Sequence, residues 1–195
     1  FLRNEQFAIA LALIQNGRVR LGILGCPNLP PASGGTLFWA IPGQGSWKIP
    51  AQGGSAEPIR ASVQTDPRRM KFVESYESSH SDKDTQLEIS RQLQIAHPPE
   101  QMDSQVKYGI VASGLADIYL RIPNPATPDY REKIWDHAAG SLIVEEAGGW
   151  VSDIDGKKLD FSVGKTLRRN HGILATNGRI HSRVLEIIAN LAIQK

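Results

Sequence analysis

Ser104 and Lys107 lie three residues apart in MDSQVKYG (Met102–Gly109). If that stretch is helical, the spacing places a hydroxyl and an ammonium on one side, which suits an anionic ligand. An ordinary surface pair has the same spacing. Arg121 falls near the end of a predicted strand that also carries Tyr119. Its guanidinium can grip a phosphate through two parallel hydrogen bonds, or close a salt bridge to Asp117, Asp129 or Glu132. His80, between Ser79 and Ser81, offers a flat π-face and a polar edge, so it can stack and hydrogen-bond at once. A loop histidine can equally stand solvated. Asp136 sits at the mouth of IWDHAAGSLIVEEAGG (Ile134–Gly149), where an N-cap or first-turn carboxylate belongs. Its neighbour His137 points about 100° away on a helix, so it reads as a packing residue and not as a partner to Asp136 on one ion.

Periodicity supplies the scaffold that holds these groups. Ala138, Ala139, Leu142 and Ile143 give the helix after Asp136 a narrow apolar face, and Gly148 and Gly149 supply a left-handed stop. Glu145 and Glu146 read as solvated or paired and not as catalytic groups. Upstream, residues 7–14 and 18–25 are apolar runs joined by Asn16-Gly17, a strong hairpin signal. The first run is nearly continuous in apolar content and asks for cover on both faces. Residues 36–41 and 46–49 read as a second hairpin, and residues 52–58 as a loop of small residues. Residues 71–75 read as a strand. Residues 84–95 read as an amphipathic helix capped by Asp84, with Leu87, Ile89, Leu93 and Ile95 facing inward. A helix over 106–114 and strands over 116–122, 150–154 and 172–176 come next, and a helix over 180–193 closes the chain. Antiparallel hairpins and then a mixed pattern predict an α+β or α/β fold of stacked layers. The division expected is residues 1–75, an antiparallel-sheet part, and residues 76–195, an α/β part.

Composition narrows the functional classes. With 22 basic and 20 acidic residues, the net charge of +2 argues against a surface that coats nucleic acid. No apolar run is long enough to span a bilayer, and no secretory pattern is present. The single cysteine, Cys26, reads as a buried structural thiol and fits a reducing compartment, the cytoplasm or nucleus. Neither zinc spacing nor a phosphate-binding or dinucleotide glycine motif occurs. Asp153 and Asp155 flank a turn ending at Gly156. The sequence opens at Phe1 almost directly into a strand pattern, which reads as a fragment of a longer protein.

The motif WDHAAGSLIVEEAGG resembles the second signature of the inositol monophosphatase superfamily, whose members are metal-dependent, lithium-sensitive phosphatases. GILGCPNLP (Gly22–Pro30), ESSHSDKDTQ (Glu77–Gln86) and MDSQVKYGIVASGLADIYLRIP (Met102–Pro123) are similar to the 3′(2′),5′-bisphosphate nucleotidase branch of fungi and plants. FLRNEQFAIALALI at the N-terminus is similar to the segment just after that superfamily's first metal-binding motif. The resemblance implies the layered αβαβα sugar-phosphatase fold, here without its N-terminal helices and first strands. It implies hydrolysis of adenosine 3′,5′-bisphosphate, and of its sulfated precursor, to release phosphate.

By the same resemblance His80 packs against adenine, Ser104, Lys107 and Arg121 contact substrate, and Asp136 is a ligand to Mg²⁺. The partners implied are a small nucleotide and the absent N-terminal segment, with no nucleic acid and no membrane. Most Mg²⁺ ligands and the water-positioning threonine belong to motifs upstream of Phe1, so the chain alone is expected to be inactive. An inositol-phosphate phosphatase and a non-catalytic nucleotide-binding fragment are the alternatives.

Overall fold

A computed structural model describes residues 6–29, 34–76 and 82–193. The first sheet is an antiparallel meander of β1 (Ile9–Gln15), β2 (Arg18–Cys26), β3 (Thr36–Ala40), β4 (Ser46–Pro50) and β5 (Glu57–Ile59), in that order. Asn16 and Gly17 have φ of 54° and 70° at the β1–β2 turn. Two successive left-handed residues match the right-handed twist of the flanking strands, which is why this dipeptide makes the hairpin. β5 lies in the stretch expected to be a loop, since Glu57-Pro58-Ile59 carries no apolar alternation and pairs only as an edge.

The second sheet contains β6 (Phe72–Glu74), β7 (Glu100–Gln101), β8 (Ile118–Arg121), β9 (Trp150–Ser152) and β10 (Ile173–Thr176), in the order β7-β6-β8-β10-β9. β6 runs parallel to β7 and β8, and β10 runs antiparallel to β8 and β9. Helices α1 (Lys83–Leu93), α2 (Val106–Ala112), α3 (Ala138–Glu146) and α4 (His181–Ile193) complete the described chain. Asp82, not Asp84, caps α1, its Oδ1 accepting from Thr85 N at 3.2 Å. Leu87 is 65% exposed, while Gln86 is buried and donates to Leu120 O at 2.6 Å. The inward face of α1 is therefore turned by one residue from the apolar reading, because a buried amide finds a carbonyl partner there.

The second sheet is covered on both sides. Phe72, Ile118, Leu120 and Leu174 pack with Ile89 and Leu93 of α1 and with Val184 and Ile187 of α4. The alternate residues Val73, Tyr119, Ile173 and Ala175 face the other way and join α2, α3 and the first sheet in one cluster. The layers run sheet, helix pair, sheet, helix pair, which is the stacked α+β arrangement expected. α3 is buried on every side from Ala138 to Val144, and not along one narrow face, because it lies between the two sheets. Gly22 on β2 makes this possible, since a Cβ there would sit 2.6 Å from Ala139 O.

The first sheet differs. Its inner residues Leu24, Phe38 and Ala40 belong to the shared core. By register, Ile9, Leu11 and Leu13 share the outer face with Leu21, Ile23, Leu37, Trp39, Trp47 and Ile49. Ile9, Leu11 and Leu13 are 66%, 60% and 56% exposed. Among the described residues no helix is long and apolar enough to cross a membrane.

Candidate active site

The site forms where the end of β8, the first turn of α2 and the entry to α3 converge. β8 alternates, so Ile118 and Leu120 point into the apolar layer below α1, while Tyr119 and Arg121 point the opposite way. Ser104 precedes α2 with φ of 61°, and its Oγ accepts from Val106 N at 3.4 Å. Ser104 is thus outside the helix, and the helical i, i+3 argument does not describe its placement. Lys107 nevertheless faces the same space from the first turn. Gln105 Nε2 donates to Trp135 O at 2.9 Å, tying this segment to the short 3₁₀ turn Ile134–Asp136.

The result is a cavity of about 250 Å³ whose lining includes Asp103, Ser104, Lys107, Tyr119, Arg121, Tyr130 and Asp136. Four of the five sequence-predicted site residues, Ser104, Lys107, Arg121 and Asp136, share it. His80 lies outside the described residues. Two larger cavities, of about 330 and 320 Å³, lie beside β4 and beside Pro123–Glu132. Beside β4, Glu146 accepts from Gly43 N and Gly45 N, and in the other cavity Arg131 donates to Pro128 O and Tyr130 O. A Ser152–His181–Thr176 cluster is also hydrogen-bonded, but Ser152 is fully buried and its Oγ donates to Asp153 O, so no substrate reaches it.

Each cavity group has a distinct environment. Lys107 is 2% exposed, donates to Met102 O at 2.7 Å and stands 5.4 Å from the centroid of the Tyr119 ring. Burial pushes its pKa down to about 7, assisted by the Arg121 charge and opposed by Asp103. Of the three salt-bridge partners open to Arg121, the fold selects Glu132, with Nε 3.0 Å from Oε1. The contact is an ion pair without hydrogen-bond alignment, as Nε has no hydrogen-bond partner among the described residues. Asp136 makes no side-chain cap: the N-cap of α3 is His137, and the Asp136 carboxylate has no hydrogen bond or ion pair to any described residue.

His137 is fully buried behind the cavity, as a packing residue should be. Its Nδ1 is 2.7 Å from Tyr108 Oη and its Nε2 is 3.0 Å from Glu132 Oε2. Burial holds the imidazole below its usual range, against the pull of Glu132. Gly140, one turn into α3, leaves room for the Tyr108 ring, which a Cβ at that position would strike. Asp153 is the turn anchor expected, accepting from Asp155 N and Lys157 N. Cys26 is buried and its thiol is pushed up to about 12 by desolvation, an inert structural sulfur.

Such a cavity can hold an anion between a guanidinium, an ammonium and a hydroxyl, with the Asp103 and Asp136 carboxylates alongside. The profile of the inositol monophosphatase family matches residues 1–192. The chain belongs to that family. As a family member it is 44% identical over 198 residues to a 3′(2′),5′-bisphosphate nucleotidase of Schizosaccharomyces pombe, covering 97% of this chain and 56% of the relative. A nucleotidase of the same name from Oryza sativa is also 44% identical, covering 96% of this chain and 55% of the relative. The chain therefore spans a little over half the length of these curated relatives.

The fold is that of inositol monophosphatases. The enzyme of Anabaena superposes with a TM-score of 0.73 at 22% identity, covering 97% of this chain and 69% of that one. That of Thermotoga maritima superposes at 0.71 and 24% identity, covering 96% and 62%. Mg²⁺ asks for an octahedral oxygen shell and gives up its water reluctantly. Among the described residues, no group of three His, Cys, Asp or Glu side chains is placed to hold a metal. Asp136 has the right chemistry for one ligand, but the described residues do not complete a Mg²⁺ site. Tyr130, Asp103 and Gln105 escape a reading of the sequence, because nothing in their spacing distinguishes cavity from surface.

Proposed function

We propose that this chain forms the nucleotide-holding part of a Mg²⁺-dependent 3′(2′),5′-bisphosphate nucleotidase. The reaction adds water to the 3′-phosphate of adenosine 3′,5′-bisphosphate or of its sulfated precursor, and the bond from phosphorus to the 3′-oxygen breaks. From the bisphosphate the products are AMP and phosphate. The observation that carries this reading is the convergence of Ser104, Lys107, Arg121 and Asp136 on one cavity. The guanidinium and ammonium would neutralise and orient phosphate oxygens, where a low local dielectric strengthens each contact. Asp136 would contribute one oxygen to a Mg²⁺ site completed by residues beyond this chain. When bound, the ion would polarise the phosphoryl group and lower the pKa of the attacking water.

The partner we propose is the remainder of the family fold, supplied as the same polypeptide or as a separate fragment. The outer face of the first sheet supports it, since Ile9, Leu11 and Leu13 form an exposed apolar row that a stable sheet covers. The lone chain is expected to hydrolyse adenosine 3′,5′-bisphosphate at background rate. Adding the segment that the Schizosaccharomyces pombe relative has upstream of the matched region should raise phosphate release by orders of magnitude. Robust turnover by the lone chain, or none by the completed protein, would reject the reading. A second reading, a non-catalytic nucleotide-binding fragment, is favoured by the incomplete carboxylate set; AMP binding without any turnover on completion would select it.

A further inference from the structure

Behind the cavity runs a line of buried polar side chains drawn from four parts of the chain. Tyr108 on α2 is fully buried and its hydroxyl lies 2.7 Å from His137 Nδ1. His137 Nε2 lies 3.0 Å from Glu132 Oε2, and the other Glu132 oxygen lies 3.0 Å from Arg121 Nε. An ionised carboxylate only accepts, so Nε2 carries a hydrogen and donates to Glu132. The ring planes add to the constraint: Tyr108 meets both Tyr119 and His137 edge to face, with interplanar angles of 86° and 77°. Neither Tyr108 nor His137 lines the cavity, whereas Arg121 does.

We propose that His137 is a positioning residue, which holds Glu132 by one oxygen so that the other fixes the Arg121 guanidinium toward the anion in the cavity. The inference rests on the proposed function for the identity of that anion, but the geometry of the line does not. Glu132 alone could rotate about its terminal torsion, because carboxylate rotamers there are broad. Clamping Oε2 with an imidazole that is itself held by a tyrosine hydroxyl removes that freedom. Arg121 then waits in one orientation, and substrate binding does not have to order it. The same imidazole is adjacent to Asp136 in sequence, so the entry to α3 presents a carboxylate to the front of the cavity and secures a cation from behind.

The test uses the 195-residue chain without ligand and with AMP. In ¹⁵N NMR of the ligand-free chain, Tyr108→Phe and His137→Leu should each move or broaden the Arg121 Nε–H resonance. His137→Gln, whose amide nitrogen can stand in for Nε2–H, should return it close to its original position. By calorimetry, His137→Leu should weaken AMP binding roughly 10-fold, as removal of an outer-shell partner does. In an Arg121→Lys background the same change should alter affinity by less than about 2-fold, since the two act as one unit. An unmoved Arg121 resonance, or losses from His137→Leu and Arg121→Lys that multiply, would overturn the positioning role. Tyr108→Phe keeps the aromatic packing and removes only a hydroxyl, so it decides the matter if His137→Leu fails to fold. If the unsubstituted chain binds no AMP, the proposed function fails, and the resonance in the ligand-free chain still decides the role of His137.

Discussion

The two sheets are built from similar strands and end in opposite situations. The second alternates Phe72, Ile118, Leu120 and Leu174 toward α1 and α4 against Val73, Tyr119, Ile173 and Ala175 toward α2 and α3, and each face meets a helix layer. The first is also apolar on both faces, yet among the described residues only its inner face meets a layer, while Ile9, Leu11 and Leu13 stand open. Alternation of apolar with polar residues marks a sheet meant to face water on one side. Apolar residues on both faces mark a sheet meant to be sandwiched. Among the described residues, the cavity-bearing half thus has the cover its sequence calls for, and the other half does not.

Truncating a side chain in each sheet tests this contrast. Leu120→Ala empties a fully buried site and should lower unfolding stability by about 2–5 kcal/mol in denaturant melts. A loss near zero would show that the second sheet is not the packed half. The next largest effect expected is on pH dependence. The Lys107 pKa is lowered by burial from 10.5 to about 7 in the folded chain, so the unfolded chain binds that proton more tightly. Stability should therefore fall as pH drops from about 10 toward 7, and rise in the opposite direction; the Lys107→Met variant should lose that slope in melts taken across the range. A phosphate in the cavity favours the charged amine, so AMP affinity should fall as pH climbs past 7, with proton uptake visible in calorimetry across buffers of different ionisation enthalpy. The smallest effect belongs to Leu11→Ala, which should cost no more than about 0.5 kcal/mol in the chain alone. In the presence of the completing segment the same substitution should become several-fold more costly; an unchanged cost would mean that nothing packs on that face.

Legibility in the sequence divides along the range of the forces involved. The β1–β2 hairpin is legible because Asn16-Gly17 specifies its own backbone, and the entry to α3 because its motif is long. α1 is legible as a helix but not in its details: the cap is Asp82, and the buried Gln86 displaces Leu87, a trade settled by the distant carbonyl of Leu120. β7 is two polar residues, Glu100 and Gln101, which no pattern identifies before β6 is in place. In the site, Ser104 and Lys107 do come together, for a reason other than helical spacing. The partner of Arg121 is one of three open choices until the fold selects Glu132. The line from Tyr108 through His137 is illegible because Tyr108 and Arg121 come near Glu132 and His137 only in space.

The nine-residue helix α3 is gripped at both ends. At one end it follows directly on Asp136, which lines the cavity, and on His137, buried behind it; at the other, Glu146 accepts from the amides of Gly43 and Gly45 in the hairpin between β3 and β4. A helix of that length is a stiff rod of about 13 Å. One rod therefore bridges that hairpin and the turn that carries Asp136 and His137. The first sheet and the cavity thus share one rigid strut, which fixes the distance between the β3–β4 hairpin and the cavity's edge.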